Sequence, residues 1–125
     1  MKKDFDAACN QRKWVREEVV VLVVEYFRTK NMSNEDIRRS HELVSQVLRN
    51  REISITGIQN ISDTFRNYNG IRMQSGRIKC LDPDTEYNGM QGTKLQKEVM
   101  KEYFSNMSEI EKEADEIIQK YTILE

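Results

Sequence analysis

The sequence predicts a mainly α-helical protein, a single domain over residues 1–125 built from about five helices. Three observations lead there. Pro83 is the only proline and there are five glycines, so helix breakers are scarce. Apolar residues recur at spacings of three and four through most of the chain. Helix-start chemistry stands where two of those patterns begin, at Ser33 and Asn67. With 125 residues, 38% of them hydrophobic, one domain with a modest core is expected.

Residues 1–13 are expected to be a flexible N-terminal segment. The first helix is predicted over 14–30. Val15, Val19, Leu22, Val23 and Tyr26 form its apolar stripe, and Glu17 and Glu18 lie in its first turn, where the helix dipole favours acids. The run Val19–Val24 is rich in β-branched residues and would suit a strand; the stripe and the charged flanks favour helix. Trp14 and Leu22 are expected to be largely buried. After a tight connection at Asn31 and Met32, Ser33 heads Ser-Asn-Glu-Asp, a hydroxyl with an acid three residues on. A second helix follows over 34–49, with Ile37, Val44 and Leu48 inward. His41, the only histidine, falls on that face as a core or boundary residue rather than a catalyst. Residues 51–64 are ambiguous: Ile53 and Ile55 alternate, whereas Ile58 and Ile61 fit a turn of helix. A loop with a short turn is the reading. The third helix, 68–80, starts from Asn67 and turns Ile71, Ser75 and Ile78 inward. Pro83 ends it. Residues 82–92 read as an exposed loop with turn chemistry at Asn88-Gly89. A fourth helix over 93–103 points Leu95, Val99 and Tyr103 inward. A fifth over 107–121 does so with Ile110, Ala114, Ile117 and Tyr121.

Bulk properties exclude several functions. The formal net charge is -1 and the pI about 6.0, so no whole-protein basic footprint exists. No run of about 18 apolar residues occurs, and the first ten residues hold no apolar stretch of signal-peptide type. No membrane association is expected. Cys9 and Cys80 with one histidine make no familiar zinc site, and reduced thiols in a cytoplasmic protein are the simple reading. Gly89 and Gly92 lack the Lys-Ser/Thr of a phosphate loop. No cofactor, metal or catalytic residue is expected, and the chain is not expected to be an enzyme by itself.

The most informative stretch is residues 64–81. In a chain that is 33% charged it contains no Asp or Glu, yet carries Arg66, Arg72, Arg77 and Lys79. A helix with a core stripe and cations elsewhere suits a polyanion, because acids repel phosphate and bases release condensed counterions. Residues 98–116 show the opposite bias: Glu98, Glu102, Glu109, Glu111, Glu113, Asp115 and Glu116 stand against Lys101 and Lys112.

The first three helices resemble the tri-helical helix-turn-helix of Myb/SANT type, in which a tryptophan with following acids opens the first helix and an arginine-rich third helix reads DNA. The expected architecture is thus a helix-turn-helix-like core plus two C-terminal helices. A closer resemblance covers about residues 12–120. W-V-R-E-E-V-V (14–20), F-R-N-Y-N-G-I-R-M (65–73), L-D-P (81–83) and G-M-Q-G-T-K-L-Q-K-E-V (89–99) are similar, in that order, to the N-terminal domain of bacterial HNH-type endonucleases of the restriction class. Tyr68 stands where that pattern often has Pro, and Ser75 where an apolar residue is common. No His-Asn-His nuclease segment is present, so the resemblance implies either a fragment of a nuclease or a standalone relative that binds without cutting. It implies DNA recognition, of modified or unmodified DNA, with a homo-oligomer or a fused nuclease domain as further partners. Carried onto matching positions, Arg66, Asn69 and Lys94 are expected DNA contacts. Arg72, Arg77 and Lys79 join them on charge grounds. Gly70 is expected to allow close approach at the helix start, and Met73 and Leu95 to pack. The rival expectation is a helical protein-interaction domain using helices one and five, with no nucleic-acid role.

Overall fold

The computed structural model describes residues 12–123. The flexible segment expected at 1–13 lies almost wholly outside the described residues, as does Cys9. Five helices are present and no strand among the described residues: α1 (Arg16–Thr29), α2 (Asn34–Thr56), α3 (Tyr68–Leu81), α4 (Lys94–Ser105) and α5 (Met107–Tyr121). They account for 70% of it.

α1 is the central element and packs against each of the other four helices. This explains its composition. Val19, Val20, Val21, Leu22, Val23 and Val24 are all 2% exposed or less, so the helix has no solvent face over that run. A helix apolar all round is a buried helix. The one-sided stripe expected from the sequence therefore understates its burial, and the β-branched run is helical because packing outweighs a propensity difference of a few tenths of a kcal/mol per residue. Val15, placed on that stripe, is instead the residue before the helix and is exposed.

α2 starts as expected: the Ser33 hydroxyl accepts a hydrogen bond from the Asp36 N–H at 3.1 Å. It runs about two turns past the expected end, to Thr56, so the loop reading of residues 51–56 is corrected. The inner face continues from Val44 and Leu48 to Glu52, which is 4% exposed. A buried glutamate hides the helical period from any reading based on apolar residues. The stop is Gly57, with φ of +75° and its N–H bonded to the Ile53 carbonyl at 2.8 Å. That left-handed conformation suits glycine.

The connection to α3 is pinned to α2. The Arg49 guanidinium donates to the carbonyls of Ser62 and Phe65 at 2.9 and 2.7 Å, and Phe65 is fully buried. Asn67 then caps α3, accepting the Gly70 N–H at 2.9 Å; nothing but this cap approaches Gly70. Ile71 and Ile78 are fully buried, as expected, but Ser75 is only half-buried, at the wall of a cleft. α4 begins with a reciprocal cap between Thr93 and Gln96. Gln96 is buried and donates to Gln74 of α3 at 2.7 Å. All four inward residues expected of α5 are buried.

The segment after α3 is an exposed loop, as expected, anchored at its head by Asp82. Asp82 is 2% exposed and accepts hydrogen bonds from the Tyr26 hydroxyl and the Lys30 ammonium, both at 2.7 Å. Gly92 lies so close to Leu81 that a Cβ would overlap its side chain. Gly92→Ala is expected to destabilise the protein by about 1–3 kcal/mol by displacing Leu81, measured by urea unfolding. A loss below about 0.5 kcal/mol would show that this contact yields freely.

Candidate functional site

The six cations and amides expected to contact DNA separate into three groups. Arg66 is a correction: it is 5% exposed and belongs to the interior. Asn69, Arg72 and Lys79 are exposed on α3 and line one cleft with Lys30 and His41. Arg77, on the flank, donates to the Gln91 carbonyl at 2.8 Å, and Lys94 is exposed at the first turn of α4. Neither of these two lines the cleft.

Arg66 is held by residues from the start of the chain. Its guanidinium donates to both Glu18 carboxylate oxygens, at 2.9 and 3.0 Å, and to the carbonyls of Arg12 and Lys13. It lies 3.8 Å from the Trp14 ring centre, a cation–π geometry. Trp14 itself is only half-buried; part of its ring is covered by Arg66 rather than by core. Glu18 is fully buried and also accepts from Arg12 at 2.9 Å and from the Val15 N–H at 3.1 Å. Arg12 bridges on to Glu52 at 2.8 Å. Burial alone would raise the Glu18 pKa, but the Arg66 hydrogen bonds and charge, the Val15 N–H and Arg12 outweigh it, so the carboxyl titrates below its ordinary range. Arg66 is also the one non-glycine residue with positive φ among the described residues, at +47°. That conformation costs about 1–3 kcal/mol and persists because both ends of the residue are held. The carbonyl accepts from the Ser45 hydroxyl at 2.7 Å.

The cleft, of about 790 Å³, lies where the end of α1, the start of α2, the exposed face of α3 and the 82–92 loop converge. Its size falls in the range of small-molecule sites. Met73, expected to pack between helices, is 48% exposed and lines it instead. Met90 reaches in from the loop and rests on Gly76: a Cβ there would stand 2.9 Å from the Met90 sulfur. Lys79 lies 5.2 Å above the Tyr87 ring centre. Lys30 is committed to Asp82 and, at 3.3 Å, to Asp84. Its hydrogen bond to Asp82 raises its pKa. His41 is half-buried, and its Nδ1 is fully buried with no hydrogen-bond partner. Burial, and then the Arg72 charge, lower its pKa, so the imidazole is neutral at pH 7. Sequence reasoning missed Lys30, Tyr87 and Met90 and set His41 aside. No sequence signal joins them, since they come from three separate segments.

The acids of α5 do not neutralise this face. Glu113 pairs with Arg16 at 2.6 Å and Asp115 with Arg28 at 2.9 Å, both from α1; Glu102 of α4 also pairs with Arg16. Arg72, Arg77, Lys79 and Lys94 have no carboxylate partner among the described residues. The surface imagined for a protein partner on helices one and five is reduced, because the central run of α1 is enclosed and α5 directs these two acids at α1. No group of three or more His, Cys, Asp or Glu among the described residues is placed to hold a metal. No described helix is long and apolar enough to cross a membrane.

Segments remote in sequence meet in space: Trp14 and Glu18 hold Arg66, Asp82 holds Tyr26 and Lys30, and Gly92 abuts Leu81. Asn69 and Met73 face the cleft. Comparison with protein families, curated proteins and solved structures returned no match.

Proposed function

We propose that this protein is a DNA-recognition module in which α3 is the contact helix. One observation carries the reading: the exposed face of α3 has no acidic residue and its cations are unpaired, while the arginines of α1 that face the acidic helices are all engaged. An ion pair cancels most of a cation's field at a phosphate; an unpaired cation retains it. The helix dimensions suit the role. α3 has 14 residues, about 21 Å at 1.5 Å per residue, and an α-helix fits the B-DNA major groove. Asn69 sits in the first turn, the part of a recognition helix that reaches base edges, and an asparagine amide matches adenine in the major groove. Arg72 and Lys79 follow along the face, with Arg77 and Lys94 positioned to hold phosphates at its flank.

The test is a titration of duplex DNA at several salt concentrations, followed by anisotropy. Four engaged cations predict a log–log slope of about -3 to -4, from roughly -0.9 per neutralised phosphate. The net charge of -1 makes low salt the condition where binding is strongest. A slope near zero, or no binding to any duplex at low salt, would rule out α3 as a DNA-contact helix.

A further inference from the structure

The cleft beside α3 is more than the edge of a groove-reading helix. We infer that it holds a single unpaired nucleotide, either extruded from DNA lying on α3 or free in solution. The inference rests in part on the DNA reading, and its test separates the two. Three features of the lining match the parts of a nucleotide. Arg72 and Lys79 are cations without carboxylate partners at its rim, suited to a phosphate. Met73, Met90 and Tyr87 offer polarizable apolar surface to a base, and thioether contacts with aromatic rings are favourable. Half-buried His41 and exposed Asn69 line the same cleft. Their imidazole and amide supply hydrogen-bonding groups of the kind a base edge requires.

The cleft is also large for any role on α3 alone. Its volume of about 790 Å³ exceeds what the side chains of a groove-reading helix need, and it is built from four segments of the chain. An extruded base costs a few kcal/mol of lost stacking and pairing, least where the base is already unpaired. A mismatched or gapped duplex is therefore the better substrate, and the fully paired duplex the control.

The experiment labels the methionine methyl groups with carbon-13 in the full chain. Met90 and Met73 report the cleft, the nitrogen-15-labelled backbone amides of Arg77 and Lys94, residues outside its lining, report the flank of α3, and Met100, 5% exposed in the core, serves as the reference. Three probes are added separately: a fully paired duplex, the same duplex with one unpaired nucleotide, and free deoxynucleoside monophosphates. Met90 should shift with the unpaired nucleotide or with a monophosphate, Met100 should not, and Tyr87→Ala and Met90→Ala should each weaken the binding at least fivefold. Shifts at Met90 with the gapped duplex identify a base extruded from DNA. Shifts at Met90 with monophosphates alone keep the cleft assignment and remove DNA as the source. If duplexes shift the Arg77 and Lys94 amides but neither the unpaired nucleotide nor a monophosphate moves Met90, the cleft assignment is overturned while the contact helix stands. If no probe moves any of these reporters, both fail.

Discussion

Arg66→Ala is expected to lower the unfolding free energy by about 3–5 kcal/mol, the usual consequence of removing one partner of a buried ion pair. That is a large share of the ~5–15 kcal/mol available to a domain. Glu18 has no exposure to water, so loss of Arg66 leaves its carboxylate with Arg12 and one backbone N–H as partners. Trp14 loses the guanidinium that covers its ring, which makes the Trp14 and Arg66 substitutions non-additive. A double-mutant cycle should show a coupling of at least ~0.5 kcal/mol. Arg66→Gly separates the two contributions of the residue. It relieves the +47° backbone strain yet removes the same ion pair, so it should be less damaging than Arg66→Ala. Urea unfolding of the two Arg66 variants, the Trp14 variant and the double variant is the measurement. Equal stability of Arg66→Ala and the parent would mean that the ion pair contributes nothing net. The buried carboxylates Glu18 and Asp82, in separate clusters, give stability a pH dependence of defined sign. Folded Glu18 and Asp82 both titrate below their ordinary values. Their contribution is therefore complete above the unfolded carboxylate pKa and is lost as pH falls through the depressed folded values. Arg66→Ala should flatten the acid limb of the stability curve.

Replacing Arg72 and Lys79 together by Ala is expected to weaken duplex binding by about 10- to 100-fold at low salt, roughly 1.4–2.8 kcal/mol. Two fewer neutralised phosphates should also reduce the magnitude of the salt slope by about 2. Both residues are exposed on α3 and off its buried stripe, so the fold should survive, as judged by circular dichroism. The informative control is Arg16→Ala with Arg28→Ala. It removes the same formal charge, but from cations outside the cleft lining that pair with Glu102, Glu113 and Asp115. That variant should bind DNA nearly as well as the parent. If both double variants weaken binding equally, only net charge matters and no particular face of the protein is a DNA site. A loss in the Arg72/Lys79 variant that is uniform across sequences would mark phosphate contacts; a loss confined to one sequence or one modified base would mark base contacts.

Local chemistry was readable wherever its partners lie within one or two helical turns. The Ser33 and Asn67 caps, the stripe of Ile110, Ala114, Ile117 and Tyr121, and the lack of acids in residues 64–81 all fall in this class. Reading failed where a buried polar residue interrupts an apolar period. Glu52 concealed the last two turns of α2, and Asp82 concealed the anchor at the head of an otherwise exposed loop. In both cases the residue is inside because a cation from elsewhere meets it there: Arg12 for Glu52, Lys30 for Asp82.

The sequence by itself determined that this protein is helical, where its helices begin, and that one of them carries cations without acids. All three follow from patterns spanning a few residues. Only the tertiary structure decided which cations are free. Arg66 and Arg72 stand six positions apart in the same acid-free stretch and are alike by composition. One turns inward to a carboxylate 48 residues away, and the other faces solvent at the mouth of the cleft. The gathering of Arg72, Lys79, His41 and Met90 around one cavity likewise depends on how α1 seats its neighbours. Burial and ion pairing are set by partners remote in sequence, and no local pattern of residue types encodes where those partners will lie.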